Sequence, residues 1–167
     1  MRNYVLCCFL FVLAACNDGD LQIETLDFDS ITTVENCGDL KANQTNVVFK
    51  INDDEALILT LPASAIKNDT TSVVSLVPTQ SKLTYRFFSD KVSTSYFCDA
   101  IPPTEPTVID EIEANGGEVL ITTTAIDTVT YSHKIELSGI SLETSDNNRI
   151  TDLRIENFGT ITTKVEE

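Results

Sequence analysis

The chain has 167 residues, with 11 Lys and Arg against 26 Asp and Glu, for a formal net charge of −15 at pH 7. That balance repels polyphosphates and anionic headgroups, which argues against nucleic acid as a partner and against membrane binding through the protein surface. The length suits one domain with a true core, while six glycines and a single histidine leave little material for a phosphate-cradling loop or a histidine-based metal site.

At the N-terminus Arg2 precedes an apolar stretch from Tyr4 to Leu13, and Leu13-Ala14-Ala15-Cys16 closes it. Charged, apolar, then small is the order of a secretory signal. Ten apolar residues rise about 15 Å as a helix, half of a bilayer core, too short to span it. A cysteine directly after Leu-Ala-Ala resembles the lipobox of bacterial lipoproteins, where the thiol takes a diacylglycerol and the chain is cut just before it. The resemblance implies that residues 1–15 are a signal peptide that is removed and that Cys16 is lipidated. Residues 16–20 are then the acylated cysteine and an acidic tether, and 21–167 a single domain. Membrane attachment would come through lipid on Cys16. One acyl chain binds marginally, at ~0.8 kcal/mol per buried methylene, and two or more hold. Asn17-Asp18-Gly19-Asp20 resembles the acidic stretch that directs many Bacteroidota lipoproteins to the outer face of the outer membrane. A plain polar tether has the same composition, so the periplasmic and cell-surface faces both stay open.

Of five cysteines, Cys7 and Cys8 leave with the signal and lipid consumes Cys16. Cys37 and Cys98 remain, an even pair in an oxidising compartment, and are expected to form a disulfide. Two buried free thiols are the alternative. Two cysteines and one distant histidine lack zinc-ligand spacing, so no metal and no cofactor are expected.

After the signal, short alternating runs rich in Val, Ile, Thr, Phe and Tyr recur between turn-forming clusters. Leu21, Ile23 and then Leu26, Phe28 form the first run, with a phase slip between the pairs. Val47, Phe49 and Ile51 alternate next, and Asp53-Asp54 turn the chain into Leu57, Leu59 and Leu61. A weaker run covers Ser72 to Val77; Leu83, Tyr85 and Phe87 follow, and Tyr96 to Cys98 closes the first half. Ile101-Pro102-Pro103-Thr104-Glu105-Pro106 is a loop or extended connector, because proline cannot donate to a ladder. Thr107 to Ala114 and Glu118 to Ala125 flank Asn115-Gly116-Gly117, a hairpin signal. In Thr130 to Leu142, Tyr131, His133, Ile135 and Leu137 share a face, and the phase slips at Gly139 as it does at a β-bulge. Asp146-Asn147-Asn148 leads into Ile150 to Thr162. Eight or nine such strands predict an all-β fold, an antiparallel β-sandwich of immunoglobulin-like general shape, with a closed β-barrel as the alternative.

No catalytic constellation emerges. His133 shares its face with Tyr131, Ile135 and Leu137, which reads as a packed core histidine, and no Gly-x-Ser-x-Gly elbow supplies a nucleophile. The acidic turns Asp53-Asp54-Glu55 and Asp146-Asn147-Asn148 do not match an EF-hand loop. Asp29-Ser30-Ile31, Asp69-Thr70-Thr71 and Asp127-Thr128-Val129 resemble the O-glycosylation sequon of Bacteroidota, making Ser30, Thr70 and Thr128 candidate acceptors.

Leu13 to Cys16, the acidic stretch Asn17 to Asp20 and a body ending in Ile155-Glu156-Asn157-Phe158-Gly159-Thr160 resemble the small uncharacterised lipoproteins of flavobacteria. That group carries no active site to transfer. The expectation is a lipid-anchored, non-enzymatic lipoprotein of the bacterial outer membrane, binding a protein or glycan partner or serving a structural role. A small-ligand carrier with a barrel cavity is the alternative.

Overall fold

In the computed structural model residues 25–144 and 148–165 are described. The signal, Cys16, the acidic tether, Leu21, Ile23 and the Asp146-Asn147 part of the expected turn lie outside them. The described chain forms β1 (Thr25–Asp27), β2 (Glu35–Asn36), β3 (Asn46–Asn52), β4 (Glu55–Leu61), β5 (Ser72–Leu76) and β6 (Lys82–Phe88). A one-turn helix α1 (Thr94–Cys98) follows, then β7 (Val108–Ala125), β8 (Thr130–Leu142), β9 (Asp152–Arg154) and β10 (Asn157–Lys164).

The fold is all-β. An antiparallel sheet runs in the order β10-β8-β7-β6-β4-β3-β2, with β5 added to β7, and curls into a half-barrel. A short parallel pair, β1 with β9, stands outside that path. The curl is built on β7. Its first half pairs with β6 and its second half with β5 and β8, so one strand belongs to both ends of the sheet. The inner side holds one core, in which Leu57, Leu59, Leu83 and Tyr85 meet Val119, Ile121, Ile135 and Leu137.

Four local expectations are corrected. Asn115-Gly116-Gly117 is no hairpin: the strand runs through it, with register shifts on both sides of Gly116. Gly117 has φ +114° and Gly139 opposite it has φ +62°. The glycine freedom that fits a hairpin serves equally for a bulge, which bends a long strand between two directions. The Gly139 bulge stands where the phase slip places it.

The second correction is the phase of β3. Val47 is 47% exposed, whereas Asn46, Val48 and Lys50 are buried on the core side. Phe49 is buried on the opposite face, stacked on Phe97 of α1 at 4.4 Å between centroids. From Val48 to Lys50 both faces of β3 are covered, so alternation does not single out the inner one. The third is Tyr96 to Cys98, which is helical rather than extended. Its rings pack with Phe88, Ala56 and Val92 in a small second cluster on the outside of the sheet. The run from Ile150 to Thr162 is also split, between β9 and β10.

Asp53-Asp54 makes the expected turn, a two-residue loop between paired Asn52 and Glu55 with Asp53 at φ +54°. Left-handed φ is tolerated best by Gly, Asn and Asp, which is why Asp serves at this turn.

Candidate functional site: a disulfide clamp, two buried polar groups and an open seam

Cys37 and Cys98 are bonded, with Cα atoms 5.2 Å apart at a sequence separation of 61. Loop closure of that length contributes ~4 kcal/mol by the chain-entropy argument. The bond joins the segment after β2 to the last residue of α1. α1 has no side-chain N-cap bond of its own. It is held by the disulfide, by Phe97 on Phe49, and by Thr94 Oγ1 donating to the Glu35 carboxylate.

His133 is fully buried, together with Ile135 and Leu137 of its strand face. Its Nδ1 lies 2.8 Å from Thr123 Oγ1 on β7, and its Nε2 lies 2.7 Å from Thr163 Oγ1 on β10. Thr163 in turn donates to Asn68 Oδ1 at 2.5 Å. Those bonds fix the tautomer. A hydroxyl has one proton, so Thr163, spending it on Asn68, accepts from Nε2–H, and Nδ1 accepts from Thr123. Burial holds the imidazole below its ordinary range, in the neutral state that this relay requires. Both partners of His133 are hydroxyls and the relay ends on an amide. Strand phase locates His133 in the core; its partners come from two neighbouring strands and, through Thr163, a loop, which phase cannot name.

Sequence reasoning missed Lys50. It is 1% exposed, and its Nζ donates to the carbonyls of Phe28 at 2.7 Å and Asn157 at 2.8 Å. The Phe158 ring centroid lies 5.8 Å from the ammonium, within cation–π range. Desolvation lowers its pKa, against the opposing fields of Asp29 and Asp27. Lys50 therefore ties the segment after β1 to the start of β10. Asp29 reinforces that junction by accepting from the Asn157 backbone N–H at 2.7 Å.

Ser30, Thr70 and Thr128 are all exposed and lie in bends between strands. Two of the three sequon aspartates carry structural bonds. Asp29 holds Asn157, and Asp127 accepts from the backbone N–H groups of Val129 and Thr130, which pulls its carboxyl below the usual range. At the Asp53 turn, Lys91 pairs with the carboxylate at 2.9 Å. No group of three or more His, Cys, Asp and Glu side chains is placed to hold a metal ion among the described residues.

The ends of the half-barrel face each other. An open groove of about 330 Å³ separates β2 and the residues after it from β10, lined by Val34, Asn36, Asp39 and Leu40 on one wall and Thr160 and Thr162 on the other. Ladder parity says which backbone groups point into it. On β7, Thr123 N–H bonds to Thr71, so the odd residues there serve β5 and the even ones serve β8. On β8 the odd residues then serve β10, as the bonds Leu137 N–H to Glu156 and Val165 N–H to Val129 confirm. Gly159, Ile161 and Thr163 are thus bonded to β8, and the N–H and C=O groups of Thr160 and Thr162 face the groove. No strand among the described residues pairs with that edge. At the near end of the groove Val34 packs where a Gly159 side chain would project, on the core face of β10; Gly159 has φ +127° and leaves no room for a Cβ.

No protein-family model, curated protein or solved structure matches this chain, so the chemistry of these sites is read from its own residues.

Proposed function

We propose that this protein is a lipid-anchored lipoprotein of the bacterial outer membrane, of the flavobacterial type, whose all-β domain is a non-enzymatic binding or structural module for a protein or glycan partner. The observation that carries the reading is the Cys37–Cys98 bond, with Cα atoms 5.2 Å apart. A disulfide of this kind suits an exported protein and agrees with the compartment implied by Leu13-Ala14-Ala15-Cys16. His133 supports the non-enzymatic part: it is spent on two threonine hydroxyls deep in the core, where a substrate has no approach. The exposed bends at Ser30, Thr70 and Thr128 leave those hydroxyls accessible for O-glycosylation as a further proposed modification.

Replacing the acylation site tests the reading. Cys16→Ala is expected to lose incorporation of a fatty-acid probe and to move from the membrane to the soluble fraction, while remaining folded. Unchanged labelling and fractionation in that variant would refute the anchor.

A further inference from the structure

We propose that the seam between β2 and β10 receives an extended, basic polypeptide segment of a partner protein, which adds as a strand to the outer edge of β10. The proposal rests on the binding-module reading above and gives that module a partner class.

Three observations point there. The outer edge of β10 carries unpaired backbone donors and acceptors at Thr160 and Thr162, two residues of high β propensity that are both exposed. Edge strands are ordinarily blunted by lysine, proline or a covering loop. Here β10 has no proline, its one lysine is the terminal Lys164, and Val34 packs against the strand face only at Gly159. A run of unpaired edge is therefore presented to the groove. The groove also has a second wall of matching kind. Glu35 pairs with Phe49 on β3, and alternation from the Asn52–Glu55 hairpin pair makes that the bonded pair. Val34 and Asn36 then direct their backbone groups toward the seam. A strand laid in the seam would extend the sheet from β10 and narrow the gap to β2. Main-chain bonds supply the affinity of such additions, and side-chain contacts supply the choice.

Charge selects the occupant. Asp39 is exposed in the groove and has no ion-pair partner among the described residues, in a chain of net charge −15. An acidic strand approaching that surface is repelled, and a basic one is steered toward it.

The test uses the lipidated chain in detergent micelles and residue-resolved amide hydrogen exchange. The probe is a seven-residue Thr/Val peptide with a lysine at each end. Without peptide, Thr160 and Thr162 amides are expected to exchange faster than those of Ile161 and Thr163. With saturating peptide, Thr160 and Thr162 should slow by roughly tenfold or more, as newly bonded amides do. The same peptide N-methylated at alternate residues should give no protection, and one with glutamate at both ends should bind more weakly. Asp39→Asn should weaken the lysine peptide by about two- to fivefold, the scale of an exposed ion pair. Thr162→Pro removes an edge N–H and should abolish protection, while Thr162→Val keeps the backbone and should not. If the proline variant unfolds, the N-methylated peptide still decides. Binding without slowing of the Thr160 and Thr162 amides, or equal binding of the glutamate peptide, would overturn the proposal. So would protection that appears with rising protein concentration alone, which would assign the edge to a second copy. Loss of the peptide effect with a Cys16-dependent anchor intact would remove the strand site and leave the anchored module standing. Retained peptide protection with no dependence of fractionation on Cys16 would do the reverse.

Discussion

Gly117 lies so close to Ile140 that a Cβ on residue 117 would stand 2.8 Å from the Ile140 Cα and 2.9 Å from its nitrogen. The contact sits where β7 leaves the β6 side of the sheet for the β8 side, opposite the Gly139 bulge. The curl of the half-barrel and the main-chain approach are one feature. Gly117→Ala meets the Ile140 Cδ1 at 2.7 Å, which can move, and both backbone atoms, which cannot, at a φ of +114°. A loss of about 2–4 kcal/mol in urea unfolding is expected. Gly116→Ala is the control, since its nearest neighbour is Ser141 Cβ at an ordinary 3.8 Å. Equal destabilisation by the two substitutions would contradict this account of the bend.

Lys50 makes a second prediction. Met has similar length and no donor, so Lys50→Met removes a costly buried ammonium and also takes a hydrogen bond from the Phe28 and Asn157 carbonyls. Phe28 keeps a bond from the Ile31 N–H at 3.3 Å, so Asn157 carries most of the loss. Relief of desolvation offsets part of it, and the net cost is expected at about 1–3 kcal/mol. Faster exchange of the Leu26 and Phe28 amides is the specific sign, because Lys50 joins that segment to β10. A stability change without local loosening there would mean that Lys50 does not hold the junction.

The fold class was legible because strand composition and turn chemistry agree over most of the chain. Thr130 to Leu142 is the clearest case: one face carries His133, Ile135 and Leu137 into the core, and Gly139 marks the bulge. Cys37 and Cys98 were legible from counting and from the compartment that the N-terminal resemblance implies. What sequence did not disclose depends on tertiary covering. β3 has apolar residues in both phases, and only the placement of α1 on its outer face decides that Phe49 faces outward and Lys50 inward. The two glycines at 116 and 117 satisfy hairpin and bulge alike, and the long-range partner Ile140 decides between them. The seam needs still more, since it exists only once β2 and β10, from opposite ends of the domain, are brought to opposite sides of one groove.

His133 gives the domain an acid-sensitive point. Burial lowers its folded-state pKa from the ordinary 6.5. The unfolded chain therefore binds more protons than the folded one between those two values, and stability falls as pH drops. Above about pH 6.5 the contribution is fully present, and it is lost progressively as pH falls toward the depressed folded value. Protonation also adds a second N–H at Nδ1, opposite a Thr123 hydroxyl that donates in the neutral relay. Because His133 is the only histidine, replacing it isolates this effect from the carboxylates, which titrate lower. His133→Gln should lower stability at neutral pH and flatten its dependence between about pH 7.5 and about pH 5. Urea midpoints across that range measure both. A variant whose midpoint still falls as steeply as that of the unaltered protein would place the acid sensitivity outside the Thr123–His133–Thr163 relay.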